Sequence, residues 1–249
     1  MTLTPPATEW ISATLPKIGN RAEENEDAVA NAADGLRFAI ADGATEGWES
    51  GRWSSHVASA FIRQPPTPDA FPAWLAEVRR VWVPPAVNGP VPWYAVAKQE
   101  EGSFSTMAGL EIRRTKTAPG WGWRAVAIGD SCILHVRGDA LQVAFPLTAA
   151  TEFGNRPRLV PSGAKTPCPE PEWLAGRAAP GDLFILATDA VAARLFHPPT
   201  FKSALAAVDE SLRTRDSQTL LALLREVQAT INDDVSVIGI RLSALQEIP

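Results

Sequence analysis

The stretch LFILATDA, residues 183–190, decides the architecture. Its apolar run ending at Ala187 is uninterrupted, as expected of a strand buried on both faces, and Asp189 stands just beyond its end. Working outward, the same construction recurs. Leu36, Phe38 and Ile40 alternate along LRFAIA, which Asp42-Gly43 closes; Val126 and Ile128 alternate along WRAVAI, which runs into Gly129-Asp130. Cys132, Leu134 and Val136 alternate along CILHV, and these alternating runs read as half-buried strands. Gly138-Asp139 suits a tight hairpin between CILHVR and ALQVAF. Asp233 immediately precedes VSVIGIRL, and Glu26 and Asp27 stand just before one more strand.

Helical spacing is found in three places. Phe71, Trp74, Leu75, Val78 and Trp82 repeat behind Asp69 as N-cap, with Pro72 in the first turn. Phe201, Leu205, Val208 and Leu212 form a second pattern; Leu220, Leu223, Leu224, Val227 and Ile231 form a third. Strands and helices do not alternate one for one, so antiparallel sheets covered by helices are favoured over a doubly wound parallel sheet. Proline-rich stretches at 62–72, 84–92 and 157–171 read as surface loops, and no internal repeat is visible. One domain over residues 1–249 is expected.

Composition narrows the function. The 249 residues are 45% hydrophobic and 20% charged, which fits an ordinary globular core and excludes a disordered or fibrous chain. A net charge of -5 without a Lys/Arg-rich run argues against a dedicated nucleic-acid binder. Cys132 and Cys168 make neither a disulfide framework nor a zinc motif. The N-terminal residues lack the pattern of a signal peptide, and no apolar run approaches a membrane span, so a cytoplasmic protein with no membrane partner is expected. GAKT at 163–166 lacks the rest of a phosphate-binding P-loop, and GxSxG, GxGxxG and HExxH are absent.

Each acid has an ordinary explanation alone, as a turn or a cap. Together they form a set of carboxylates at strand ends, and such groups repel unless cations hold them. His56, His135 and His197 are not adjacent to the acids, so the donor set is oxygen and the matching cation is Mg2+ or Mn2+ rather than zinc.

The motifs NEDA at 25–28, ADG at 41–43, GDS at 129–131, ATDA at 187–190 and DDVSV at 233–237 resemble, in order and strand context, those of the metal-dependent protein phosphatases, the PPM or type 2C family. The resemblance runs across nearly the whole chain. It implies an α+β fold, a four-layer αββα sandwich of two central antiparallel β-sheets flanked by helices. It also implies two Mn2+ or Mg2+ ions and a weaker third. Asp42 would bridge the pair, with the Gly43 carbonyl on one ion and Asp189 and Asp233 on the other. Glu26 and Asp27 would hold metal-bound waters, and Asp130 would join Asp189 at the third ion. The implied activity is hydrolysis of phosphoserine or phosphothreonine by a metal-activated water. The implied partners are a phosphoprotein substrate and a serine/threonine kinase or its targets.

Two departures bear on phosphate binding. Many relatives carry an Arg five residues before the position of Asp27, where this chain has Ala22; Arg21 is one residue further away. A bulge at 22–24 would restore Arg21 as the phosphate anchor; the alternative is phosphate held mainly by metal. Asp42-Gly43-Ala44 also lacks the His that follows Asp-Gly in some eukaryotic members. A catalytically weak domain that binds phosphoproteins is the alternative. The segment 145–171, where relatives place a flap, carries Arg156, Arg158 and Lys165, with Arg177 beyond; contact with a phosphoprotein and a plain solvated loop are equally compatible with it.

Overall fold

The structure, a computed structural model, describes residues 7–45, 47–83, 98–115, 120–154 and 156–244. The proline-rich stretch 84–92 lies outside them. Among the described residues the strands are, in chain order, β1 (Thr8–Leu15), β2 (Asp27–Asn31), β3 (Arg37–Asp42), β4 (Phe104–Ser105), β5 (Met107–Arg114), β6 (Trp121–Ile128), β7 (Cys132–Arg137), β8 (Ala140–Phe145), β9 (Val160–Pro161), β10 (Glu172–Ala178), β11 (Leu183–Ala187) and β12 (Val235–Leu242). One five-stranded sheet has the order β1-β12-β11-β7-β8 and the other β10-β6-β5-β3-β2. All their pairings are antiparallel.

Helices α1 (Ser50–Arg63) and α2 (Phe71–Val81) cover the second sheet. The first is covered by α3 (Asp189–Leu195), α4 (Pro198–Thr214) and α5 (Gln218–Gln228). The result is the α+β, four-layer arrangement that the sequence implied.

Side-chain alternation is divided between cores. On β3, Phe38 and Ile40 enter the layer between the sheets, while Ala39 and Ala41 face α1 and α2. On β11, Phe184 and Leu186 enter the central layer, while Leu183, Ile185 and Ala187 meet the helices of the other face. The alternating runs are therefore not half-buried, as expected from sequence: four layers bury both faces, and alternation records which core receives each residue. Gly109 on β5 lets α1 approach, since a Cβ there would lie 2.5 Å from the Phe61 ring.

Helix boundaries differ modestly from the sequence reading. The N-cap of α2 is Ala70, not Asp69. Helix α5 ends at Gln228, which leaves Ile231 outside it and 46% exposed. The expected hairpin forms between β7 and β8, with Gly138 at φ +57° and a register shift between His135 and Val136.

The segment 145–171 is tied to the body. Its β9 pairs with β4, the Trp53 indole N–H donates to the Val160 carbonyl at 2.8 Å, and Arg79 donates to the carbonyls of Pro161 and Thr166. Arg158 pairs with Glu172 and donates to the Glu170 carbonyl, while Arg156 and Arg177 are exposed.

The ends of β11 carry different acids. Before Leu183, buried Asp182 accepts hydrogen bonds from two Arg137 guanidinium nitrogens, the Ala179 N–H and, at 2.7 Å, His135, whose ring stacks on Phe184. Burial alone would raise its pKa, but these partners hold it below the ordinary value. Asp189 follows the other end.

Candidate active site

Antiparallel pairing brings the other acids to one end of the sandwich. Asp27 opens β2 directly opposite Asp42, which closes β3. In the facing sheet the end of β11 lies beside the start of β12 and the start of β7, which draws Asp189, Asp233 and the Gly129-Asp130 turn to the same end.

Asp27 is the most deeply held. Its Oδ2 accepts the Thr188 hydroxyl at 2.9 Å, and that hydroxyl in turn accepts the Ser236 N–H at 3.0 Å, linking the two sheets. Its Oδ1 is buried and has no hydrogen-bond partner among the described residues. Burial, with the nearby charges of Asp234 and Asp189, pushes its pKa up to about 8, opposed by the nearby Ser236 and Thr188 hydroxyls. Burial also drives Asp42 well above the carboxylate range, reinforced by Asp27, Asp189, Asp130 and Asp233. Asp130, whose Oδ1 is likewise buried without a partner among the described residues, is pushed up to about 7 by burial and by Asp189. Asp189 is raised too, first by burial and then by Asp233, although the Ala190 N–H opposes the shift.

Gly43 lies where a side chain has no room. A Cβ would stand 2.7 Å from the Ser50 backbone and 2.8 Å from the Glu26 carbonyl oxygen, which also accepts the Gly43 N–H at 3.0 Å. The Ser54 hydroxyl of α1 donates to that same carbonyl at 2.6 Å, so the helix fixes the strand entry bearing Glu26 and Asp27. Glu26 accepts the Thr45 hydroxyl at 2.7 Å, and burial raises its pKa against the pull of Thr45 and Lys17.

Asp27, Asp42, Asp130, Asp189 and Asp233 thus gather at one end with Gly43 among them and Glu26 alongside. Arg21 does not join them in any observed contact. Residues 22–24 form a 3-10 turn rather than a strand bulge, Arg21 is its exposed N-cap, and the Glu24 carboxylate accepts its backbone N–H at 2.7 Å. Glu24 reaching back to cap this turn is the reason, and the Arg21 guanidinium has no partner among the described residues.

Three participants were not singled out from the sequence. Thr188 carries the hydroxyl that reaches Asp27. Asp234, 3% exposed, accepts the Lys17 N–H at 2.7 Å and the Glu26 N–H at 3.1 Å, joining the exit of β1 to the entry of β2. Lys17 reaches Asp233 at 3.1 Å. The doublet Asp233-Asp234 was a usable signal, since adjacent residues entering a strand face opposite ways.

Among the described residues, no three Asp, Glu, His or Cys side chains are gathered tightly enough to form a ready-made metal site. The donor chemistry nevertheless fits a hard cation. Two buried carboxylate oxygens lack donors among the described residues, four aspartates are shifted toward protonation by burial and mutual charge, and the available ligands are oxygen.

No protein-family model and no curated protein matches the sequence. Solved structures do match. A Pseudomonas aeruginosa structure described as PppA, a key regulatory component of T6SS, superposes with TM-score 0.63 at 19% identity, covering 94% of this chain and 97% of that one. The photosystem II phosphatase PBCP gives 0.66 at 13%, covering 96% and 100%. The catalytic domain of the serine/threonine phosphatase PstP in complex with two manganese ions gives 0.60 at 17%, covering 95% and 98%. The architecture is that of the PPM serine/threonine phosphatases.

Proposed function

We propose that this protein is a Mn2+- or Mg2+-dependent phosphatase acting on phosphoserine and phosphothreonine in proteins. The observation that carries the reading is the convergence of Asp27, Asp42, Asp130, Asp189 and Asp233 at one end of a PPM-type sandwich, with buried carboxylate oxygens that lack a proton donor. Support for the metal comes also from the manganese-containing neighbour.

Asp42, the Gly43 carbonyl, Asp189 and Asp233 would hold two ions, and Asp130 with Asp189 a weaker third. Bound divalent ions supply Lewis acidity, lowering the pKa of water and neutralising charge on phosphate oxygens. The chain's part is to place the donors and to restrain them. Thr188 fixes Asp27 through one oxygen; the Glu26 carbonyl and Ser54 hold the strand entry; the backbone crowded around Gly43 leaves no room there for a side chain. The Arg21 side chain makes no observed contact with the acids, so phosphate would be held mainly through the cations.

The exposed position of Arg21 favours one second reading, a catalytically weak domain that binds phosphoproteins. Hydrolysis of p-nitrophenyl phosphate and a phosphothreonine peptide, with Mn2+, Mg2+ or chelator, separates the two. Turnover lost to chelator and restored by Mn2+ supports the phosphatase; metal binding without turnover supports the binding domain. A physiological partner would be a phosphoprotein from a serine/threonine kinase circuit, in line with the regulatory role named for the Pseudomonas aeruginosa neighbour.

A further inference from the structure

Among the described residues, Lys17 is the only cation within 4.0 Å of the clustered acids. Its ammonium lies 3.1 Å from Asp233 Oδ1 and 3.9 Å from both Asp234 Oδ2 and Glu26 Oε2. It donates to the Thr45 hydroxyl at 3.1 Å, and that hydroxyl donates to Glu26. The residue is anchored at its other end too, because Asp234 Oδ1 accepts the Lys17 backbone N–H at 2.7 Å. One carboxylate thus receives the backbone while it and two neighbours surround the head of the same side chain. A surface lysine ordinarily swings free in water; this one is held by contacts at both ends.

We infer that Lys17 is a resident counter-cation that competes with divalent metal for Asp233, and so sets how much metal the site takes up. The inference rests on the reading of these acids as a Mn2+ or Mg2+ site. Asp233 Oδ1 already accepts two donors, the Lys17 ammonium and the Asp234 N–H at 2.9 Å. Each drains electron density from the carboxylate that a metal would use, and the ammonium adds direct repulsion over a few ångströms in partly desolvated surroundings. Metal loading must therefore loosen Lys17 from Asp233. Without metal the lysine compensates the acids that would otherwise repel, which lets the chain fold with the site unfilled.

The test is calorimetric titration of Mn2+ into the wild-type protein, Lys17→Met, Lys17→Gln and Lys17→Arg, with thermal unfolding of each in chelator and in saturating Mn2+. Removing one charge at this separation is expected to tighten Mn2+ binding about tenfold in the Met and Gln variants. Both should melt below wild type in chelator and gain more than wild type from Mn2+. Lys17→Arg, which keeps the charge, should retain the weaker affinity. If the Met variant fails to fold, the Gln variant carries the comparison. Equal affinity in wild type and the neutral variants, or weaker binding by a folded neutral variant, overturns the role of Lys17 and leaves the metal reading standing. Absence of Mn2+ binding by any of them overturns both.

Discussion

Asp27→Asn should make the metal-free protein more stable, although it alters a buried, hydrogen-bonded group. Burial and neighbouring carboxylates push the Asp27 pKa from 3.8 to about 8. A carboxyl whose folded pKa lies above its unfolded value costs stability once the pH exceeds the unfolded value, and the cost grows until the pH passes the folded one. For this shift the penalty is about 2 kcal/mol at pH 5, about 4 at pH 7 and about 5 at pH 8. Asparagine keeps the shape and an acceptor for the Thr188 hydroxyl and carries no charge, but its amide needs a new partner, a cost of about 2 kcal/mol. The net gain at pH 7 is about 2 kcal/mol, or a rise in Tm of about 4–8 °C for a chain of this size. Differential scanning calorimetry in chelator at pH 5, 7 and 8 should show the gain absent at pH 5 and largest at pH 8. Saturating Mn2+ should reverse the order, because a cation compensates the carboxylate and not the amide. A variant that melts below wild type at pH 7 in chelator, or a gain equal at pH 5 and pH 8, would refute the reasoning.

Gly43→Ala forces a methyl group against the Ser50 and Glu26 backbones and should cost about 1–3 kcal/mol, read as a lower midpoint in urea. Thr188→Val strips a donor from Asp27 and an acceptor from the Ser236 N–H; a loss of about 1–3 kcal/mol is expected, larger at pH 8 than at pH 5 because the ionised carboxylate needs the donor more. Asp233→Asn should weaken Mn2+ binding about tenfold or more by calorimetry, with turnover falling further than thermal stability. Arg21→Ala should leave kcat/KM at saturating Mn2+ within about twofold, because a solvated arginine contributes little; a tenfold fall would show that it reaches the phosphate.

Antiparallel sheets covered by helices were legible in the strand and helix spacing, and the four-layer order followed from the resemblance carried by the acids that recur where strands stop. What local sequence could not show was the two-core use of alternating strands: Ala39 and Ala41 pack against α1, a neighbour determined only by tertiary placement. The site was legible as a set of aspartates. Their supporting contacts were less so. Thr188 and Asp234 act across the gap between sheets, on partners 161 and 208 residues away in the chain, and no local pattern encodes such distances. The turn at Arg21 was hidden for a different reason. Glu24 caps its own short turn, a local competitor that an expectation built on strand pairing does not include.

Strand β11 has one end complete within the chain and one that is not. Asp182 meets guanidinium, imidazole and amide donors, all supplied by the fold, whereas Asp189 and its neighbours remain short of positive charge. The two ends should therefore answer to different surroundings. Dissolved metal and chelator bear on the Asp189 end, while the Asp182 end is compensated by partners the fold itself supplies. Asp182 thus draws its compensation from the chain, whereas the acids at the Asp189 end depend on what the solution supplies.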